Sequence, residues 1–526
     1  MELARATPTM LPDSTRPIDH ADAVATLVDD KTLNSELLNF SVGAPDALRR
    51  LEEGCFWLEA YRQGVRGDPL RAYQVVDRID NLMQPHRMEV SREYLDAGGR
   101  QQTYRERRIW NAVVHFAHEL AAGYEICLQL FQANVRGAKP LKPHIPTATA
   151  RAIRSLTLIL RWNLLRYAAV EPTLWSRMGN LYAYAERERF LSERFKVYPD
   201  MHGDSTVRRE YLRALVLSVS GMESLLPPNQ VAAERVIATV ADFFLLHRRP
   251  AAGCHFAVDL KASRSPFRVS DSLAPARTVR FFGPGDAAVM LEGLMQRTVE
   301  TGHAPTEIKL VGDVYASTIH EVLEHLSRQW GPTPPLRSET RQRVLSTLNV
   351  ANSFDKVLRA VSAEQGSEEI DDITEAWTVE NESTGGFGAV LPPLEGDWLA
   401  IGTLVASKPT WPASWSVGII RRLSTDELGR RAVGVQVLAR GGVAVELESL
   451  NEAGRPHAAV LLPAETQTSL IGGEVTLLLP RDLIDWSARY TLRVHQRTYT
   501  VSPVRLAESG DDFDIYTFAI EENAAS

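Results

Sequence analysis

One short stretch, Gly331-Pro332-Thr333-Pro334-Pro335, does most to limit the folds open to this chain, because stacked proline and glycine sustain neither helix nor strand. Before it, apolar residues recur mainly at helical spacing; after it, they fall into short alternating runs. A chain of 526 residues is also too long for one hydrophobic core, so several domains are expected on either side of this linker.

Residues 1–35 carry Pro, Thr and Asp with weak periodicity and read as a flexible lead-in. A helical domain is expected over 36–250, with no repeat of fixed length. In it, Leu48, Leu51, Cys55, Leu58 and Tyr61 form one stripe of a helix over 46–63, and Trp110, Val114, Ala117, Ala121 and Tyr124 one stripe of a helix over 105–130. Residues 148–169 and 174–189 read as a helical pair broken at Glu171-Pro172. Asn229 reads as the N-cap of a helix over 231–247, with His247, Arg248 and Arg249 complementing its carboxyl end. Residues 251–335 read as a small α/β domain and linker, with strands over 254–260 and 278–282 and helices over 286–301 and 318–330.

Past the linker, six runs with strand character (342–350, 375–380, 386–391, 398–407, 415–423 and 432–439) suit a small closed barrel, which removes exposed edges. Five more, at 443–450, 458–462, 474–479, 490–497 and 514–520, suggest a second, smaller β module over 441–526.

A net charge of −8 argues against a surface for nucleic-acid polymers, whose affinity rests on many Lys and Arg contacts. Cys55, Cys127 and Cys254 are far apart and show no metal-ligand spacing, which suits reduced, buried thiols. The first 18 residues lack the apolar stretch of a signal peptide, and the most apolar helix, 152–170, is interrupted by Arg154, Arg161 and Arg166, so no membrane span is expected. A cytoplasmic location follows as the expectation.

Two polar clusters flank the first strand candidates. Arg337 and Arg341 form R-x-x-x-R just before the run at 342–350, with Arg343 adding a third cation. Asn381, Ser383 and Gly386 form N-x-S-x-x-G between two later runs. Guanidiniums four positions apart on an irregular segment can converge on one ligand, each offering a planar fork to phosphate oxygens or to the O6/N7 edge of a guanine. Asn381 can pair with a base edge, Ser383 offers a short donor and acceptor, and Gly386 permits a turn or close approach of backbone to a ligand. Taken singly, the first pattern is an ordinary solvated helix face and the second an ordinary turn. Their order and flanking strands favour a joint site for recognition, not bond breaking.

At these residues the chain resembles the PilZ family of cyclic-di-GMP receptors, whose pattern is RxxxR ahead of the first barrel strand and D/N-x-S-x-x-G between later strands. The resemblance covers about a fifth of the chain. It implies a six-stranded barrel over 336–440 in which Arg337 and Arg341 hold phosphates and guanine edges of cyclic di-GMP, and Asn381, Ser383 and Gly386 surround a guanine from the barrel side; Arg343, outside the pattern, is expected to add its charge nearby. More loosely, the helical half is similar to the amino-terminal regions of large proteobacterial PilZ receptors. One departure stands out: forty positions separate Arg341 from Asn381, and the segment 351–375, partly helical and partly acidic, raises the question of whether it covers the site.

The expected fold is therefore a multidomain α+β chain: an N-terminal helical bundle, a small α/β middle domain, a C-terminal PilZ-like six-stranded β-barrel and an extra β module. The expected function is a cyclic-di-GMP-binding receptor, without a cofactor, that couples occupancy to a protein partner through the helical domain, in surface attachment, motility or exopolysaccharide control. A PilZ-fold scaffold that no longer binds nucleotide is the alternative, and an enzyme with its site in the helical half the weaker one.

Other constellations carry less. His320 and His325 are five apart, whereas a zinc helix needs four to bring two imidazoles to one face. His115 and His118 lack a matching second motif for a metal. Gly283-Pro284-Gly285-Asp286 turns into a helix without the Lys-Ser/Thr of a phosphate loop, and no G-x-S-x-G elbow occurs. Arg105, Arg107, Arg108, Arg208 and Arg209 suit a solvated, ion-paired face better than a ligand surface.

Overall fold

Asp46 and Asp68 begin the helical part by the same local chemistry. The Asp46 carboxylate accepts a hydrogen bond from the Arg49 backbone N–H at 2.9 Å, and that of Asp68 one from Leu70 at 3.0 Å with Pro69 following. Each satisfies an orphan donor of a first helical turn. The computed structural model describes residues 46–64, 68–96, 104–199, 203–270, 276–310, 316–333, 342–363, 373–392, 398–409, 414–425, 430–451, 456–463, 473–494 and 497–521. No helix among them is long and apolar enough to cross a membrane.

Two compact units make up the chain, one of residues 1–96, 104–159 and 185–207, the other of 97–103, 160–184 and 208–526. In the first, helices Ala47–Gly64, Pro69–Asp96 and Tyr104–Gln132 pack against one another. Pro69–Asp96, which contains Pro85, was not apparent from apolar spacing. Its Asp80 is fully buried and is met by Arg87 at 2.9 Å, Tyr124 at 2.9 Å, Tyr198 at 3.1 Å and Arg151 at 3.4 Å. A carboxylate taken out of water survives there because cations and phenol donors surround it. Burial pushes the Tyr124 and Tyr198 phenols up, so both stay protonated donors.

In the second unit, the helix expected over 231–247 instead spans Pro227–Val240. Pro227-Pro228 preset the first turn, so Asn229 lies inside the helix and not at its cap. His247 ends a short strand, β1 (Leu245–His247), because this segment pairs with β4 (Val279–Gly283). With β2 (Phe256–Asp259) and β3 (Phe267–Arg268) they form an antiparallel sheet in the order β1-β4-β2-β3. Helices Asp286–Thr301 and Ala316–Trp330 pack against each other beside it. Gly283 is required by packing: a Cβ there would stand 1.8 Å from the Gly253 carbonyl oxygen.

The C-terminal part holds two closed barrels. The first comprises β5 (Gln342–Asn352), β6 (Glu375–Ser383), β7 (Gly386–Val390), β8 (Leu404–Pro409), β9 (Ser416–Thr425) and β10 (Arg431–Arg440). The second comprises β11 (Val443–Ser449), β12 (His457–Leu462), β13 (Glu474–Pro480), β14 (Tyr490–Val494), β15 (Arg497–Ser509) and β16 (Phe513–Glu521). The ring orders are β10-β7-β6-β5-β8-β9 and β11-β12-β13-β16-β15-β14. Numbered within each barrel, they are one topology: the first strand pairs with the second and fourth, the third with the second and sixth, the fifth with the fourth and sixth. The expected extra β module is thus a second barrel of the same connectivity and strand number.

Trp377, Val379, Phe387, Ala389, Val433 and Val435 fill the first barrel; Leu447, Val475, Leu477, Leu492, Val501 and Phe518 belong to the core of the second. A third core lies where the barrels meet. There Val357 and Val361 of helix Phe354–Ala363 pack with Trp415 and Val417 from the first barrel and Val460 and Phe513 from the second. Asp512 accepts the Phe354 backbone N–H at 2.7 Å, and Glu508 receives both terminal nitrogens of Arg421. The first barrel is also tied to the helical segment of its own unit: the Thr425 N–H donates to the Tyr167 carbonyl, and the Tyr167 hydroxyl to that of Leu225.

Candidate functional site

The strand that follows R-x-x-x-R pairs directly with the strand that carries N-x-S-x-x-G. Arg343 on β5 lies opposite Asn381 on β6, and Gln342 opposite Glu382. Arg337 and Arg341 lie outside the described residues. Register shifts interrupt both strands on one side of this rung, between Arg343 and Ser346 on β5 and between Val379 and Asn381 on β6, while Gln342 and Glu382 on its other side stay in register. An extra residue re-aims the side chains beside it, and Leu345 is left 86% exposed. Arg343 is exposed, and its side chain has no hydrogen-bond or ion-pair partner among the described residues.

The β6–β7 turn holds the rest of the motif. The Ser383 hydroxyl donates to the Gly386 carbonyl at 3.1 Å, and the Val437 N–H to that of Gly385 at 3.1 Å. Arg440, on the last barrel strand, donates to the Ser383 and Thr384 carbonyls at 3.4 and 3.1 Å. Nothing in the sequence singled out Arg440, because its relation to the turn depends on barrel closure. Gly386 has a structural duty: a Cβ there would stand 2.2 Å from the Val435 carbonyl oxygen. The close approach it permits is to β10. Asn381 leans over Gly388, its Oδ1 2.8 Å from where a Cβ would be.

The described part of the 351–375 segment lies at the other end of the sheet. Val350 pairs with Glu375, seven positions along β5 from Arg343 and so roughly 23 Å away at the usual strand rise. Helix Phe354–Ala363 is spent on the core between the barrels.

The other candidate clusters resolve into structural contacts. His325 is buried and donates from Nε2 to the Ser220 carbonyl at 2.8 Å, while Trp330 donates to the Ser220 hydroxyl at 2.9 Å. Burial lowers the His325 pKa, which favours the neutral ring. His320 meets Glu324 at 3.4 Å and His115 meets Glu119 at 4.0 Å. Among the described residues no group of three or more His, Cys, Asp or Glu could hold a metal ion. Arg105 pairs with Glu93 and Asp46, and Arg108 with Glu52. Arg208 donates to the Phe244 carbonyl and Arg209 to that of Ala238. Cys55 and Cys127 are buried, whereas Cys254 is half-buried; burial pushes the Cys127 thiol up to about 12 and raises Cys55 also.

Residues 42–251 match the family described as the N-terminal domain of the cyclic-di-GMP receptor FimW. The match covers less than half of the chain and stops before either barrel. No curated protein matches the chain, and no solved structure does.

Proposed function

We propose that the chain is a cyclic-di-GMP receptor whose first barrel is a PilZ-like domain binding the dinucleotide at the β5–β6 edge of the ring. One observation carries this reading: Arg343 and Asn381, far apart in sequence, are register partners. A cation and an amide on adjacent strands provide a donor fork for phosphate or guanine and a pairing group for a base edge. The similarity of residues 42–251 to a receptor's N-terminal domain supports the same reading from an independent part of the chain.

In this proposal Arg337, Arg341 and Arg343 take phosphates and guanine edges, Asn381 and Ser383 take the base, and Gly386 keeps the turn in place. Occupancy passes to the helical segment through Tyr167, which touches both Thr425 and Leu225. A protein partner then reads it from the helical domain in the cytoplasm, in surface attachment, motility or exopolysaccharide control. The protein acts as a binder and not as an enzyme.

Calorimetric titration of the full chain with cyclic di-GMP, beside GTP and cyclic di-AMP, tests the proposal. Saturable binding of cyclic di-GMP that weakens about 10- to 100-fold in Arg341→Ala is expected, since a hydrogen bond to a charged group contributes about 1.5–3 kcal/mol. Unchanged affinity in a folded Arg337→Ala/Arg341→Ala variant would remove the assignment.

A further inference from the structure

The rung that joins Arg343 to Asn381 continues around the barrel. Asn381 pairs with Gly388 on β7, Gly388 with Gly434 on β10, and Gly434 with Arg422 on β9. Phe387, Ala389, Val433 and Val435 belong to the barrel core, so the alternating Gly388 and Gly434 are on the outer face. Two adjacent outward positions therefore lack side chains, and their neighbours use the room. Asn381 Oδ1 lies 2.8 Å from where a Cβ on Gly388 would stand, and Arg422 Nε lies 3.6 Å from the same point on Gly434. Opposite Cβ positions are at most about 5.5 Å apart. The amide and the guanidinium are thus within roughly 12 Å of each other, both lying over glycine.

Their neighbours sharpen the contrast. Arg421 is held by Gln436 and Glu508 in the tie to the second barrel, and Arg440 is held by the β6–β7 turn. The side chain of Arg422 has no hydrogen-bond or ion-pair partner among the described residues, although Arg422 is only half-exposed. An arginine laid over Gly434, its side chain without a hydrogen-bond or ion-pair partner among the described residues, and an amide laid over the neighbouring Gly388 together have the form of a clamp for a flat polar group.

Resting on the receptor reading above, we infer that Arg422 is a further ligand-binding residue that, with Asn381, grips one guanine over the Gly388–Gly434 pair. The guanidinium fork takes the O6/N7 edge, which adenine cannot match because it presents a donor where guanine has O6. Asn381 takes another edge of the same base. The layer now filled by the two polar side chains is the one the base enters. Arg422 thereby sets the preference for guanine, a task that neither linear motif reveals.

The test is calorimetry on the full chain with cyclic di-GMP, with cyclic di-AMP as competitor, for wild type, Asn381→Ala, Arg422→Ala, Arg422→Lys and Gly434→Val. Circular dichroism of each variant checks the fold. Arg422→Ala is expected to weaken cyclic di-GMP binding about 10- to 100-fold and to narrow the preference over cyclic di-AMP. Arg422→Lys should keep the fold without restoring that preference, because an ammonium lacks the planar fork. Gly434→Val should weaken binding by filling the layer. If wild type binds and Asn381→Ala weakens binding while the Arg422 and Gly434 variants bind and discriminate as wild type does, this inference fails and the receptor reading stands. If wild type does not bind cyclic di-GMP at all, both fall together.

Discussion

Arg343 and Asn381 face each other across antiparallel strands, with the register shifting in both strands just beyond the pair on its Ser346–Val379 side. Groups on one rung that grip one ligand should be energetically coupled. Arg343→Ala and Asn381→Ala are each expected to weaken cyclic di-GMP binding by about tenfold or more, and the double variant by less than the product. The shortfall should correspond to about 0.5–3 kcal/mol in a double-mutant cycle. Strict additivity in calorimetry would mean that the two residues do not share a ligand.

Gly386 has a packing role within the motif proposed to bind the ligand. A methyl group there would stand 2.2 Å from the Val435 carbonyl oxygen, so β7 and β10 would have to part. Gly386→Ala should cost about 1–3 kcal/mol in urea unfolding, as overpacking does. Ser383→Ala removes one hydrogen bond to the Gly386 carbonyl and should cost about 1 kcal/mol. A Gly386→Ala protein as stable as wild type would contradict the register.

Much of this arrangement was legible in the linear chain and some was not. Alternation of Trp377 with Val379, of Phe387 with Ala389 and of Val433 with Val435 marks strands with one buried face, which is why the first barrel could be read. Strand β15 was not read, because Pro503 and two register shifts interrupt its alternation. The C-terminal module therefore looked smaller than its six strands. The stretch Leu245–His247 looked helical because its pairing with β4 is long-range and leaves no local trace. Arg422 was invisible for the same reason: its place on the rung of Asn381, two strands away across Gly388 and Gly434, follows from ring closure, and β9 carries no motif. Arg337, Arg341, Asn381, Ser383 and Gly386 were picked out through a family pattern, of which Arg337 and Arg341 lie outside the described residues, while the packing duty of Gly386 against β10 needed its neighbour strand.

His325 gives the second unit a pH dependence. Its folded pKa is lowered from 6.5, first by burial, so the folded state favours the neutral ring that donates to the Ser220 carbonyl. For such a group the unfolded chain binds the proton more readily, and stability falls as pH drops below about 6.5 toward the folded pKa. Urea midpoints should therefore decline over that interval, and His325→Gln should flatten the decline. An identical slope in the variant would assign the acid sensitivity elsewhere.

Helix Phe354–Ala363 makes the two barrels depend on each other. Its Val357 and Val361 share a core with residues of both, and Asp512 of the second barrel accepts the N–H of its first residue. Asp512→Ala removes that cap across the junction and should cost about 1 kcal/mol, the usual loss for a helix cap. Val357→Asp places an unpaired charge in a fully buried position and should cost several times more. Because the damaged core is common property, amide exchange should accelerate together in β5–β10 and in β11–β16, and the two barrels should unfold in one transition. Two separated transitions in the wild type, or faster exchange confined to the first barrel in Val357→Asp, would show that the helix belongs to one barrel alone.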